Sequence, residues 1–317
     1  MERINAALLA RMGEGLWLTD GGLETTLIFH EGLDLPEFAA YPLLEIEEGR
    51  ARLESYYTSY MAAARDLGTG FVLDTPTWRA NVGWGARLGH DRAGIAAINA
   101  RAVGFAVALR AAAGAGSPIL INGEVGPAGD GYRADAPLAA DEAEAYHFPQ
   151  IAALAAAGAD MITALTMTHP AEAIGAARAA AHAGIPAAIS FTVETDGRLP
   201  CGVALGAAIT AVEAATGASP LWYQINCAHP AHFRHTLLGD WVVRIGGIRA
   251  NASRLSHAEL ETSETLDAGD PAMLAAEHRD LLRVLPGLRV LGGCCGTDLR
   301  HVQAIGATCC PHHRAAA

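Results

Sequence analysis

Positive charge is scarce in this chain. Lysine and arginine total 22 of its 317 residues, against 34 aspartates and glutamates, which gives a formal net charge of −12. Nucleic acids and anionic membrane surfaces attract proteins through clustered Lys and Arg, and no basic run occurs here. The composition therefore predicts no nucleic-acid partner and no anionic membrane surface as partner.

Long uninterrupted hydrophobic runs are also missing. The most apolar stretch, residues 93–114, is broken by one Asn and two Arg, whereas a membrane span needs about 18 clean apolar residues. The first fifteen residues carry Glu2, Arg3 and Arg11 and no continuous apolar core, so we expect no signal peptide. These features predict a cytoplasmic protein without a membrane span.

Cysteine is present in an even number, but the context does not favour disulfides. A large chain without an export signal is a poor candidate for a disulfide scaffold. Metal-binding or catalytic thiols are the better interpretation. The six are Cys201, Cys227, Cys294, Cys295, Cys309 and Cys310.

Short apolar runs alternate with alanine-rich helical stretches along the whole chain. Continuous rather than alternating apolar runs are typical of strands covered on both faces, as in a parallel sheet. Eight such alternations predict a (β/α)8 TIM barrel that forms a single domain over residues 1–308, with a C-terminal tail at 309–317. A doubly wound sheet is the alternative, but the first strand lacks the GxGxxG turn of nucleotide-binding folds. The predicted strands are residues 16–20, 70–74, 118–123, 160–165, 186–191, 221–227, 242–248 and 289–294.

Polar residues and cysteines gather where the predicted strands end. In a barrel these ends converge on one mouth, where barrel enzymes keep their chemistry. The long segments 123–141 and 251–269 would form its rim. The strand-end residues are Asp20-Gly21-Gly22, Asp74-Thr75, Glu124, Asn226-Cys227, Asn251 and Cys294-Cys295.

This arrangement brings Cys227 close to Cys294 and Cys295 although the sequence separates them widely. Three thiolates with one open position suit a catalytic zinc ion, which prefers sulfur in a tetrahedral shell. A metal-bound thiol is deprotonated, so such a site can activate a substrate thiol near neutral pH. The ordinary alternative is that these are simply buried cysteines, which are common in protein cores.

The motifs resemble those of the homocysteine S-methyltransferase family, zinc-dependent (β/α)8 barrels that methylate a thiol. The matching segments are DGGLETTL (20–27), DTPTWRAN (74–81), EVGP (124–127), ISFTVETDGRL (189–199), INC (225–227) and GGCCGT (292–297). The resemblance implies a thiol acceptor and a methyl donor as small-molecule partners, and zinc as cofactor. It implies Cys227, Cys294 and Cys295 as zinc ligands. It also implies that Asp20 acts as a catalytic residue and, with the Gly21 and Gly22 amides, binds the amino-acid end of the thiol.

Three further residues follow from the resemblance or from their position at the mouth. Thr75 falls in the strand-2 pocket segment, Glu124 closes strand 3, and Asn226 would form the site wall beside the first ligand. All three are predicted to contact substrate. Trp78 could face a cationic donor through its ring.

One position departs from the family. Where the family has a Glu that binds the substrate ammonium group, the ungapped match in TALT (163–166) places Leu165. Either Asp20 or Glu124 supplies the missing acceptor, or the thiol is not homocysteine. The methyl donor would be a free onium compound such as S-methylmethionine, S-adenosylmethionine or a betaine.

Two alternatives stay open from the sequence. One is the same chemistry on a different thiol or onium substrate. The other is a redox-responsive, non-enzymatic barrel in which Cys294 and Cys295 form a reversible disulfide.

Expectations for the remaining Cys and His residues are less specific. Cys201 is expected to be an inert surface residue, and the tail Cys309, Cys310, His312 and His313 are expected to be a mobile end rather than a metal site. His232 and His235 are expected at the surface, and His229 is the histidine expected nearest the site. Homo-oligomerisation through a barrel flank is possible from the sequence.

Overall fold

A computed structural model of the chain describes residues 1–116, 118–135, 137–263 and 265–310. Eight parallel strands form a closed barrel in the order in which they occur in the sequence. The predicted (β/α)8 TIM barrel is confirmed, and the doubly wound alternative is wrong. The strands are Trp17–Leu18 (β1), Gly70–Asp74 (β2), Ile119–Val125 (β3), Met161–Met167 (β4), Ala187–Phe191 (β5), Trp222–Asn226 (β6), Ile245–Ala250 (β7) and Val290–Gly293 (β8).

Helices surround the barrel. One helix precedes β1, and between β6 and β7 the chain forms only short helical turns (Pro230–Phe233, Arg234–Thr236 and Asp240–Arg244). Asp270 accepts hydrogen bonds from the amides of Ala272 and Met273 and thereby caps the helix that begins at Pro271. The longer helices of the described part are Glu2–Met12 (α1), Glu47–Asp66 (α2), Arg92–Ala113 (α3), Ala140–Ala156 (α4), Pro170–Ala183 (α5), Leu205–Thr216 (α6), Pro271–Leu281 (α7) and Leu299–Cys309 (α8).

Apolar residues fill both the inside and the outside of the barrel wall. Nearly every strand residue is buried, as expected for strands covered on both faces. A second cluster closes the amino end of the barrel, where Leu8 and Met12 of α1 pack against Trp17, Val72 and Trp222. The amino end is thus plugged, and the carboxyl end is left for chemistry.

One helix, α3, is long and apolar enough to cross a membrane by length and composition alone. Its face formed by Ala102, Val103, Ala106 and Leu109 belongs to the main core of the barrel. A helix that packs against a barrel core has an apolar face, and it can therefore meet this criterion of length and composition.

The end of the chain differs in part from the sequence prediction. Cys309 is the last residue of α8 and is buried in the core, so it does not belong to a free tail. His312 and His313 lie outside the described residues. Cys201 is half-buried and packs against the core.

Candidate active site

The three cysteines predicted to act together do meet at the mouth of the barrel. The sulfurs of Cys227, Cys294 and Cys295 lie within 4.8 Å of one another. The backbone amide of Cys227 donates to the carbonyl of Arg249, and that of Cys294 donates to the carbonyl of Ala250. Because β7 lies between β6 and β8, cysteines from the two outer strand ends face one another across it.

Two of these sulfurs are bonded to each other in the structure. Cys227 and Cys294 form a disulfide, and Cys295 is a free thiol with its sulfur 3.9 Å from that of Cys227. The adjacent pair Cys294 and Cys295, expected under the redox alternative, is not bonded. A disulfide between adjacent residues closes a small, strained ring. Cys227 comes from another strand end and can bond to Cys294 without such a ring.

The backbone around Cys227 is held in an uncommon conformation. Cys227 and Thr166 both have positive φ angles, 52° and 60°, which cost free energy for residues other than glycine and cluster at functional sites. Asn226 links the two, because its Oδ1 accepts from the Thr166 amide at 3.0 Å and its Nδ2 donates to the Thr166 hydroxyl at 2.9 Å. Asn226 therefore supports the Cys227 turn, as well as lining the cavity.

The carbonyl of Cys227 has an unusual number of partners. His257 Nε2 lies 2.7 Å from it, Asn251 Nδ2 donates at 3.1 Å, and the Thr192 hydroxyl donates at 3.4 Å. The ring of His257 stacks on Tyr132 with a centroid distance of 4.0 Å. The Tyr132 hydroxyl in turn lies 3.2 Å from the sulfur of Cys295. Side chains from three segments, those after β3, β5 and β7, thus orient two of the three cysteines.

A cavity of about 460 Å³ opens above the cysteines. Its wall combines aromatic rings with several carboxylates and two arginines. Of the predicted site residues, Asp20, Gly21, Gly22, Glu124, Asn226, Cys227, Cys294 and Cys295 line it, as do Leu165 and Trp78.

The cavity lining leaves out some predicted residues. Thr75 is fully buried, and its hydroxyl accepts from the Glu124 amide at 3.1 Å, so it supports the wall from behind. His229 is also absent from the lining and approaches Glu277 instead, at 3.2 Å. The predicted surface position of His232 is wrong, since this residue is buried and its Nε2 lies 2.8 Å from the Arg254 carbonyl.

A buried cation at the barrel mouth was not identified from the sequence. Arg249 of β7 pairs with Asp20 at 2.5 Å, with Glu124 at 3.2 Å and closely with Asp74. The signal was available, because a charged residue in the apolar segment IGGIRA is expected to be buried only with partners. His257 and Tyr132 had no comparable local signal in the sequence.

Arg249 and its three carboxyl partners, Asp20, Asp74 and Glu124, contain more acidic than basic groups. Burial raises the pKa of Asp20 to about 7, against the lowering effect of Arg249. Burial also raises the pKa of Glu124 well above its usual range, with Asp74 adding to the shift. One arginine cannot neutralise three buried carboxylates, so the group favours holding a proton near neutral pH.

The predicted anchors for a substrate ammonium group are therefore already engaged. Asp20 accepts from Arg249 and from the Tyr56 hydroxyl (3.1 Å), and the Gly22 amide donates to the Thr297 carbonyl at 3.1 Å. Among the described residues, no other side chain hydrogen-bonds to the Glu24 carboxylate, which lines the cavity. Burial raises the pKa of this carboxyl.

Comparison with known proteins agrees with the fold and with the family resemblance. The family model described as "Homocysteine S-methyltransferase" matches residues 17–309. No curated protein matches the chain in sequence.

Solved structures of similar fold cover almost the whole chain. The oxidized form of the homocysteine methyltransferase MmuM from Escherichia coli is 24% identical, with 96% of this chain and 99% of that chain covered and a TM-score of 0.74. Its metallated form is 23% identical over the same shares, with a TM-score of 0.71. A methyltransferase from Methanosarcina mazei is 14% identical, with 96% and 97% covered and a TM-score of 0.51. Because the family match extends over most of the barrel, this chain belongs to the homocysteine S-methyltransferase family and is a thiol methyltransferase.

Proposed function

We propose that this enzyme is a zinc-dependent S-methyltransferase that moves a methyl group from a small onium donor to a thiol, with homocysteine as acceptor and methionine as product. The observation that carries the proposal is the meeting of three cysteine sulfurs from two strand ends at one cavity. The donor is a free small molecule, either S-methylmethionine, S-adenosylmethionine or a betaine-like compound.

The three cysteine sulfurs are suitable ligands for zinc. Three sulfurs mutually within 4.8 Å supply three ligands and leave the fourth position of a tetrahedral ion for substrate. Binding requires Cys227 and Cys294 as separate thiolates, and hence reducing conditions. Zinc bound there would act as a Lewis acid that lowers the pKa of an acceptor thiol.

The reaction needs alignment more than proton transfer. The acceptor sulfur attacks the methyl carbon, the bond from that carbon to the onium atom breaks, and the donor leaves as a neutral molecule. No general acid is required for such a leaving group, so the residues of the cavity serve to position two substrates in line and to exclude water. Leu165, Trp78 and Tyr132 supply apolar surface for this purpose.

Asp20 enters this scheme as a positioning residue. Its ion pair with Arg249 and its hydrogen bond from Tyr56 hold its carboxylate in the wall of the cavity. The carboxylate of Glu24, which accepts no hydrogen bond from another side chain of the described residues, is our candidate for binding the ammonium group of homocysteine, because the family's acidic position is Leu165 here. An ammonium group without a counter-charge would be costly to bury.

The test combines metal content with turnover. Protein purified under reducing conditions should contain about one zinc per chain, and Cys227→Ser should lose it because only two sulfurs remain. Cys201→Ser is the matched control, since Cys201 lies outside the cavity. Methionine should form from homocysteine with at least one onium donor, and a chelator should abolish its formation.

Two results would contradict the proposal. Metal-free protein with full activity would exclude the role of zinc. An absence of methionine with every onium donor would exclude the reaction with homocysteine.

A second candidate is transfer to a thiol that carries no amino group. Leu165 and the engaged state of Asp20 favour it. A competition assay of homocysteine against 4-mercaptobutanoate, with the donor fixed, separates the two candidates. Preference for homocysteine supports the first, and equal or better use of 4-mercaptobutanoate supports the second.

A further inference from the structure

A second arginine lines the cavity, and its surroundings differ from those of Arg249. Arg79 follows β2 in the segment TPTWRAN and is 7% exposed. Its guanidinium lies 4.0 Å from the ring centroid of Trp78 and 3.7 Å from that of Trp84. Both rings also line the cavity, so the cation is held between two aromatic faces at the cavity wall.

The hydrogen-bonding capacity of Arg79 is largely unused. Nη1 donates to the Gly129 carbonyl at 3.1 Å, and Nε is buried without a partner among the described residues. A guanidinium offers five N–H donors in a fixed fork. Buried donors are almost always paired in native proteins, so an unpaired one calls for an explanation.

No carboxylate in the described part of the chain forms an ion pair with Arg79. The acidic residues nearest to it in electrostatic effect are Asp130, Glu24 and Glu37. Asp130 accepts from the Tyr132 amide at 2.7 Å, and Glu37 pairs with Arg87 at 3.4 Å. Burial lowers the pKa of Arg79 to about 10, which leaves it charged at neutral pH.

We propose that Arg79 is a specificity-determining residue that binds a carboxylate of a substrate through its unpaired donors. This inference rests on the proposed function only in placing the substrate in the same cavity. A planar fork matches the geometry of a carboxylate in two parallel hydrogen bonds. The two tryptophans hold the guanidinium plane in place, so little side-chain entropy is lost on binding.

The first experiment measures binding without catalysis. Calorimetry compares 4-(methylthio)butanoate with 4-(methylthio)butanamide, which have similar size and differ in charge, and neither of which carries a thiol or an amino group. The native enzyme should bind the carboxylate roughly 10- to 100-fold more tightly than the amide. Arg79→Gln should abolish this preference, and Arg79→Lys should retain part of it.

Arg87→Gln is the matched control. Arg87 stacks on Trp84 at 4.2 Å, but its side chain is 59% exposed and it already pairs with Glu37. This variant removes one nearby positive charge and should keep the preference for the carboxylate. If Arg79 only supports the tryptophans, Arg79→Gln should weaken both ligands equally, which would overturn the proposal. Failure of the native enzyme to bind either ligand, or to distinguish them, would also overturn it.

The second experiment identifies which substrate carries the carboxylate. With the donor fixed, homocysteine is compared with 3-aminopropane-1-thiol, and with homocysteine fixed, dimethylsulfoniopropionate is compared with trimethylsulfonium. For each pair, kcat/KM of the compound with a carboxylate is divided by kcat/KM of the compound without one. The pair for which this ratio falls to about 1 in Arg79→Gln contains the carboxylate that Arg79 binds. Turnover with unchanged ratios in both pairs would overturn the role of Arg79 and leave the methyl transfer intact. Carboxylate-selective binding without turnover would support Arg79 and contradict the proposed reaction.

Discussion

Arg249 shows how a single side chain can decide the electrostatics of the site. It is buried, and it faces the carboxylates of Asp20, Asp74 and Glu124. The Asn122 amide and the Thr19 hydroxyl supply further hydrogen bonds to Asp74. Burying an ion is costly unless it is paired and hydrogen-bonded, so these three carboxylates depend on this one cation.

Loss of Arg249 should therefore destabilise the whole fold. Arg249→Met is expected to lower the free energy of unfolding by about 3–5 kcal/mol, since it leaves three buried carboxylates without their cation. Adding Glu124→Gln should recover part of that loss by removing one carboxylate. Urea unfolding at pH 7 measures both. Arg283→Met serves as control: the side chain is 72% exposed, and we expect a change within about 1 kcal/mol. Equal effects of the two single variants would contradict the assigned role.

At the scale of elements, the end of β8 is built around small residues. An added Cβ on Gly292 would collide with Thr19, and one on Gly293 would collide with the Thr297 hydroxyl. That hydroxyl donates to the Cys294 carbonyl at 2.7 Å, and Gly296 takes a positive φ of 80°. The glycines around the cysteine pair therefore allow close packing and a tight turn.

Gly293→Ala should disturb the cysteine pair through Thr297. The methyl group would displace the Thr297 side chain and break its hydrogen bond to Cys294. We expect a loss of about 1–3 kcal/mol in unfolding free energy and a lower zinc content. Urea unfolding and metal analysis measure the two effects.

The control for this variant is Gly104→Ala on the exposed face of α3, where an added Cβ meets no atom within 4 Å. In a helix this change should be neutral or stabilising by up to about 1 kcal/mol. Full zinc content in Gly293→Ala would show that the packing of Thr297 does not hold the cysteines.

At the scale of the whole molecule, barrel closure assembles the site from distant segments. The cavity takes residues from the ends of β1, β3, β4, β6, β7 and β8 and from the loops between strands and helices. The amino end is filled by the apolar cluster under α1. The expected homo-oligomer stays a prediction, as does the cytoplasmic location.

Buried histidines should make the stability of the barrel depend on pH. His278 of α7 is fully buried, and burial lowers its pKa to about 4. Since the ordinary histidine pKa is near 6.5, the unfolded chain binds a proton between pH 6.5 and 4 that the native state does not. This contribution is present above pH 6.5 and is lost as the pH falls through that range.

His278→Gln should flatten this dependence. Between pH 6.5 and 4 the unfolding free energy of the wild type should fall more steeply than that of the variant, by up to about 1.4 kcal/mol per pH unit. Urea unfolding at several pH values gives both slopes, whatever the absolute stability of the variant. The exposed His235→Gln variant should keep the wild-type slope. Parallel profiles for His278→Gln and the wild type would contradict the buried, neutral histidine.

The sequence by itself determined the barrel and the cysteine cluster. Runs of buried apolar residues separated by amphipathic helices have few ways to pack, and a cysteine after β6 and a pair after β8 must then meet at one mouth. The motif INC with GGCCGT was local enough to be recognised as a family signature. The presence of Leu165 where the family has a Glu was also visible, because the segment TALT could be matched to the family locally.

Only the tertiary structure decided which charged groups are free to meet a substrate. Asp20, Glu124 and the Gly22 amide looked available in the sequence, and the fold pairs them with Arg249 and Thr297. Arg79 and Glu24 carried no sign in the sequence that they would lack an ion-pair partner, because pairing depends on what surrounds a charge in space. His257 and Tyr132 reach the cysteines through loops whose paths no local pattern specifies.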